Sequence, residues 1–251
     1  MSVFLHYLES FAIGAGAGLM GGVFGVSGGT IAISALALLG HTQQVAQGTS
    51  MVMQLPNLII GAWHYTRRGN LNVRGALTLA AWALPLTYVG AFIATHAPSR
   101  DVRVAFSIFF IAVGSFTLWN ALRARKQVAN LPLRWYYLAI LGAIGGIATG
   151  LFGIGGPALA TPSLVAFFGL TQTVAQGMAL YLSGPSTILS LIAYARAGDV
   201  DWGAGIALAV GGSLLIPTGV RIAHRLPEKT LRLMFCGFMY AMATLLLLIG
   251  R

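Results

Sequence analysis

The chain of 251 residues is 57% hydrophobic and only 8% charged, with a mean hydropathy of +0.81. A water-soluble domain carries about 25% charged residues, so a surface this poor in charge cannot face water throughout. A formal net charge of +10 would suggest nucleic acid in a soluble protein, but Lys and Arg gather here in short loops between apolar runs, as in cytoplasmic loops of membrane proteins, and nucleic-acid binding is set aside.

The opening MSVFLHYLES has neither a basic n-region nor a small-residue cleavage site, so it is expected to lead into the first span. Apolar runs follow at 11–39, 76–94, 104–122, 206–220 and 231–249. A membrane-crossing helix needs about 20 mostly apolar residues, and the period-2 alternation of a barrel is missing. The expected class is therefore an all-α polytopic integral membrane protein.

Within the first run Gly14, Gly18 and Gly22 recur every four residues, a spacing that stacks them on one helix face for close packing. Gly16, Gly18 and Gly21 also spell G-x-G-x-x-G, but no strand precedes them, so a dinucleotide site is excluded. The stretch FGVSGGT (24–30) then concentrates glycine where the helix should continue. Non-helical backbone at membrane depth is tolerated only inside protein or along a polar cavity. N–H groups at the start of the next half-helix would make an anion site, helped by the helix dipole. Gly25, Ser27, Gly28, Gly29 and Thr30 are thus candidate substrate residues, with Ser27 or Thr30 as the helix cap.

The next segment, TQQVAQG (42–48), opens a helix that Thr42 is placed to cap, as Thr171 is placed to cap the corresponding helix further on. It carries Gln47, Thr49, Ser50, Gln54 and Asn57 around Pro56, whose ring should kink it near the bilayer middle. These five polar residues are expected to line a substrate path; the plainer alternative is that they hold the bundle together. A loop with Arg67, Arg68 and Arg74, two ordinary spans and a basic linker complete the first half.

The second half repeats the first. GLMGGVFGVSGG (18–29) resembles GIATGLFGIGG (146–156) at an offset of 128, and TQQVAQG matches TQTVAQG (171–177) at 129. Pro56, Tyr65, Arg67, Gly69 and Pro98 then fall on Pro185, Tyr194, Arg196, Gly198 and Pro227. The second set of candidates is Gly153, Gly155 and Gly156 at the break, with Pro157 suited to the first helical position, and Gln176, Ser183 and Ser186 on the proline helix. The expected organisation is a first repeat over 1–122, a cytoplasmic linker over 123–134 and a second repeat over 135–251. Basic residues favour one loop of the first half and the opposite loop of the second, which implies inverted repeats. Inversion needs an odd number of crossings, so each half is read as five segments, with both termini outside; the alternative is four plus four parallel spans.

Asp101, Asp199, Asp201 and Glu228 fall in loops and only Glu9 approaches an apolar run, so a buried carboxylate proton relay is not expected. Cys236 is the single cysteine and offers neither a disulfide nor a metal site. The sequence holds no Ser/His/Asp set, no metal-ligand cluster and no P-loop. Neither an enzyme nor an ATP-driven pump is expected, and no cofactor is called for.

The repeated GxFGxGG-type motif, the TQxVAQG segments and the turns YTRRG (65–69) and YARAG (194–198) together resemble the TauE/SafE permease family, from Gly18 to the C-terminus. Two departures stand out: Thr30 and Pro157 replace the third glycine that usually ends the family's motif, and the Pro-x-Leu at 162–164 has Ser34 at its first-half counterpart. The resemblance implies a multi-pass permease of the bacterial inner membrane whose relatives export sulfite and organosulfonates. With it, the expected function is a secondary transporter or facilitator exporting a small oxyanion or sulfonate, its partners being that anion and the lipid bilayer. An inside-negative potential drives each anion charge outward by about 2.3 kcal/mol per 100 mV. A membrane scaffold or assembly subunit, and an anion channel, are the alternatives.

Overall fold

The computed structural model describes residues 2–24, 28–67, 73–122, 134–153 and 155–249. The described residues form ten helices, with no strand among them: α1 (Ser2–Phe24), α2 (Gly29–Leu38), α3 (Gln43–Arg67), α4 (Val73–His96), α5 (Ser99–Leu122), α6 (Trp135–Phe152), α7 (Gly155–Phe168), α8 (Gln172–Ala197), α9 (Trp202–Ala223) and α10 (Glu228–Ile249). The expected five plus five segments are present, and most of the linker lies outside the described residues.

Seven helices among the described residues are long and apolar enough to cross a membrane, α1, α4, α5, α6, α8, α9 and α10. The other three explain themselves differently. α2 and α7 are short apolar helices, the second limbs of the two broken segments. α3 has the length to span, 25 residues, but carries too many amides and hydroxyls to face lipid. Gln43, Gln44, Gln47, Thr49, Ser50, Gln54 and Asn57 are all buried on it. It survives at membrane depth because α2, α8 and α9 surround it.

The glycine stripes act as packing devices. A Cβ at Gly14, Gly18 or Gly22 would overlap the backbone carbonyls of Leu208, Gly212 or Ile216 on α9. In the other half Gly142, Gly146 and Gly150 meet the carbonyls of Leu79, Ala83 and Thr87 on α4 in the same way. Each broken helix therefore packs on a helix of the opposite half. The aromatic clamps repeat this exchange. Phe24 packs on Phe235 and Phe238 of α10 at centroid distances of 5.8 and 5.1 Å, and Phe152 packs on Phe106 and Phe109 of α5 at 5.3 and 4.9 Å. The clamping phenylalanines are themselves related by the offset of 129 that relates the two glutamine motifs.

The caps depart from expectation. Thr42 does cap α3, accepting from Val45 N at 3.3 Å. Thr171 holds the cap position of α8 but makes no side-chain cap bond. At α2 the cap is Gly28, in the left-handed region (φ 78°) and with no side-chain bond; Thr30 lies inside the helix, two residues too far on to serve. α7 begins at Gly155, so Pro157 falls within the first turn rather than at its first position. Glycine wins at Gly28 because L residues resist positive φ, and because a Cβ there would overlap the Ala17 carbonyl and lie 2.9 Å from Met53 Cε.

Candidate functional site

The breaks separate α1 from α2 and α6 from α7, and each following half-helix directs its first N–H groups back toward its break. Gly28 turns the chain at the first (φ 78°) and Gly153 at the second (φ 77°). The Cβ position of Gly153 lies 3.2 Å from Met51 Cε, 3.6 Å from Gln47 Cβ and 3.6 Å from Ile33 Cδ1. The second break is therefore seated against the first half's α2–α3 hairpin. The first break is met in turn by the second half, where Gln176 Nε2 donates to the Phe24 carbonyl at 2.8 Å. That carbonyl is one of the acceptors a helix leaves unsatisfied at its C-terminus.

Gln47, the repeat partner of Gln176, is fully buried but used in the opposite sense. Its Oε1 accepts from the Tyr194 hydroxyl at 2.8 Å, and its Nε2 has no hydrogen-bond partner among the described residues. The tyrosine hydroxyl also lies 3.2 Å from the Gly150 carbonyl and 3.4 Å from that of Leu151, at the end of α6. Gln47 is thus tied to the second break through Tyr194.

Four more unpartnered buried atoms share this hairpin: Thr30 Oγ1, Ser34 Oγ, and both amide atoms of Gln43. Contact of Gly28 with Met53 at one end and the turn 39–42 at the other fix the antiparallel register, which sets Ser34 level with Gln47. Each buried donor or acceptor left unpaired costs about 1–3 kcal/mol. Five on one hairpin approach the whole net stability of a domain, about 5–15 kcal/mol. Such a set suits a place that water or a ligand fills.

The remaining candidates divide. Ser50 Oγ donates to the Gln47 carbonyl at 2.8 Å and accepts from Gln54 Nε2 at 3.2 Å, so these two extend the Gln47 face of α3. Thr49 turns to the α8–α9 loop and accepts from Asp201 N at 2.9 Å. Asn57 faces α9, where Ser213 Oγ donates to its Oδ1 at 3.3 Å. Ser183 and Ser186 donate to their own helix at the carbonyls of Ala179 and Leu182, 2.9 and 3.0 Å away. Gly29 is buried in the first turn of α2. Gly156 is a packing position, since a Cβ there would overlap Thr149 Oγ1 and lie 2.7 Å from Leu182 Cδ2. Gly155 begins α7; Gly25 and Ser27 lie outside the described residues.

An apolar cleft of about 220 Å³ opens between α3, α4 and α8 beside Pro185, lined by residues such as Leu58, Leu77, Leu180 and Ile188. Its lining is almost wholly apolar, with Tyr181 as its hydroxyl-bearing residue, so the polar centre at Gln47 remains the candidate. Sequence reasoning missed Tyr194, Gln43, Ser34 and Thr161, the last another buried hydroxyl without a partner among the described residues. Tyr194 and Gln43 left a signal, their places in the repeated turn and glutamine motifs, and Ser34 stood out as the counterpart of Pro162.

Comparison with known proteins agrees with this architecture. The family model described as sulfite exporter TauE/SafE matches residues 10–246. The probable membrane transporter protein YunE of Bacillus subtilis is 24% identical over 251 residues, covering 90% of this chain and 92% of its own. A probable membrane transporter protein of Xylella fastidiosa is 30% identical over 214 residues, covering 80% of this chain and 79% of its own. One of Methanocaldococcus jannaschii is 24% identical over 251 residues, at 92% and 91%.

Proposed function

The chain belongs to the sulfite exporter TauE/SafE family, and from that membership and the Gln47 centre we propose that it is a secondary transporter exporting a small oxyanion, sulfite or a sulfonate, across the bacterial inner membrane. The observation that carries the anion reading is the Nε2 of Gln47, a fully buried donor without a partner among the described residues. It lies beside the break at Gly153, on a hairpin whose other unpartnered groups are mostly hydroxyls and amides. Donors at a helix break suit a negative ligand, and the nearest acidic residues, Asp199 and Asp201, belong to the loop over Gly48 and Thr49. Binding is to the backbone breaks and the α2–α3 face, with Thr30, Ser34 and Gln43 as further ligands.

Gln47, Thr49, Ser50 and Asn57 are all completely buried. That enclosure supports a carrier that must open to load over a standing channel. The two halves carry matched contacts, α1 on α9 as α6 on α4, and α3 on α9 as α8 on α4. Matched contacts together with opposed loop charges support inverted repeats, 1–122 and 135–251, with the 123–134 linker cytoplasmic. Single cysteines in a Cys236→Ser background test the topology: the 68–72 and 198–201 loops label from opposite sides, and labelling from one side sinks the inversion.

The functional test is efflux from vesicles loaded with radiolabelled sulfite. An outwardly directed driving potential is set by valinomycin and potassium. Export that rises with the potential and saturates with sulfite supports the reading. Vesicles that retain sulfite, sulfate and methanesulfonate alike, with correctly folded protein, overturn it.

A further inference from the structure

Tyr194 is fully buried and surrounds its single hydroxyl proton with three oxygens, Gln47 Oε1 at 2.8 Å and the carbonyls of Gly150 and Leu151 at 3.2 and 3.4 Å. A phenol has one proton to give. Two arrangements therefore compete. In the one observed, the proton goes to Gln47, the amide oxygen faces the tyrosine and the NH₂ group faces away. In the other, the proton goes to the Gly150 carbonyl, the amide turns over, its NH₂ donates to the phenol oxygen, and its carbonyl faces the site. The two place opposite polarity at the same point.

We propose that Tyr194 is a specificity-determining positioning residue that sets the sign of the site: by donating its hydrogen bond to Gln47 Oε1 it holds the NH₂ group toward the ligand and so selects an anion. This rests on the anion reading above. Tyr194 itself does not touch the ligand; it acts through Gln47. The pairing also joins ligand to backbone, because the phenol proton that Gln47 holds is withheld from the α6 terminus beside the break. An anion on Nε2 stabilises the observed arrangement, and loss of the anion frees the amide to turn and the proton to pass to Gly150. Gln176 has no such freedom, since its Nε2 is committed to the Phe24 carbonyl.

The test measures thermal stabilisation of the purified full chain by sulfite, sulfate and methanesulfonate as potassium salts, converted to affinity by the dependence on ligand concentration. Tyr194→Phe should bind the preferred anion about tenfold more weakly, the scale of one lost buried hydrogen bond. In a Gln47→Lys background, where the donor no longer depends on orientation, the same tyrosine change should leave affinity unaltered. A purely structural tyrosine would lower stability in both backgrounds and leave affinity alone. Should Tyr194→Phe fail to fold, 3-fluorotyrosine at position 194, a stronger donor of nearly the same size, should raise affinity a few-fold. Wild-type protein that binds an anion while Tyr194→Phe binds it equally overturns this proposal and leaves the anion reading standing. Wild-type protein that binds none of the three overturns the anion reading and this proposal with it.

Discussion

The α2–α3 and α7–α8 hairpins carry the same motif, the same broken entry and the same mid-helix proline, yet their polar groups do different jobs. On α8, Gln176 closes the open end of α1 and the two serines beside Pro185 bond back to their own helix. On α2–α3, Gln47 accepts a hydrogen bond from the Tyr194 hydroxyl, and its Nε2, like the side-chain polar atoms of Thr30, Ser34 and Gln43, has no partner among the described residues. The two hairpins share a backbone plan, while their hydrogen-bond partners differ. Thr161, Thr187 and Ser190 of α7–α8 are also buried without a partner among the described residues, so the difference rests on the glutamines: the donor of Gln176 is committed to the backbone, and that of Gln47 is open to a ligand.

The shared plan can be broken first, and with the largest effect. Gly18→Leu and Gly146→Leu put side chains where the carbonyls of Gly212 and Ala83 already lie. Each should cost about 4 kcal/mol or more, enough to lose folded protein. Gly16→Leu, on the same helix as Gly18 but with nothing within 4 Å of its Cβ position, should change stability by about 0.5 kcal/mol or less. Detergent-solubilised yield and melting temperature decide it. If one stripe glycine tolerates leucine and the other does not, the two halves do not pack equivalently.

The difference in chemistry is sharpened by the two glutamines. Gln47→Leu removes a donor to a charged ligand, worth about 1.5–3 kcal/mol, or roughly 10- to 150-fold in affinity. Its folding should hold or improve, because an unpaired buried group disappears and the Tyr194 proton has the Gly150 carbonyl at 3.2 Å. Gln176→Leu orphans the Phe24 carbonyl and should cost about 1–3 kcal/mol of stability with a smaller change in affinity. Melting temperature and anion-dependent stabilisation, measured on both variants, should cross over. Equal losses of affinity would make the site symmetric and end the asymmetry argued here.

Much of this plan is legible in the sequence. Apolar run lengths, the repeat, the glycine spacing and the two breaks all follow from backbone requirements, which repeat with the chain. The break inside the run 11–39 shows in the sequence as the Gly-rich stretch 24–30, and the positive φ at Gly28 adds the residue at which the second limb begins. What the residues alone did not disclose is which glutamine is committed. Gln47 and Gln176 sit in near-identical heptapeptides, and only the tertiary neighbours, Tyr194 for one and Phe24 for the other, tell them apart. Thr30 illustrates the same limit: two residues of register convert an expected cap into a buried hydroxyl with no partner among the described residues.

A smaller effect separates the polar residues around the prolines. Asn57→Leu removes the acceptor of Ser213 on α9 and should cost about 1 kcal/mol, through one interhelical hydrogen bond. Ser186→Ala gives up only a bond to its own helix and should fall within about 0.5 kcal/mol of wild type. Chemical or thermal unfolding in a single detergent resolves the two. A transport defect in Ser186→Ala with unchanged stability would move the substrate path toward α8.

The smallest effect concerns the loop that covers the start of α3. A Cβ at Gly48 would overlap the Asp199 carbonyl, and Asp201 N donates to Thr49 Oγ1 at 2.9 Å, so the loop sits one to two residues from Gln47. Asp199 is partly buried there, and burial raises its carboxyl above the ordinary 3.8. A raised acid in the folded state means the folded protein binds that proton more readily than the unfolded chain. Its contribution to stability therefore falls as pH rises from the ordinary carboxylate value through the raised one, and the penalty is complete above both. The first half has Asn70 at the same offset, so Asp199→Asn brings the second loop toward the first. The variant should lose that step and be more stable at neutral pH by a fraction of a kcal/mol, since the group is largely exposed and screened. Removing a negative charge near an anion site should also raise the association rate slightly at low salt, and less at high salt. Subtracting the variant's stability-against-pH curve from that of the wild type isolates the group, because the other titrations are common to both. A flat difference across that window would place Asp199 in water, and the loop would then have no electrostatic part in guarding Gln47.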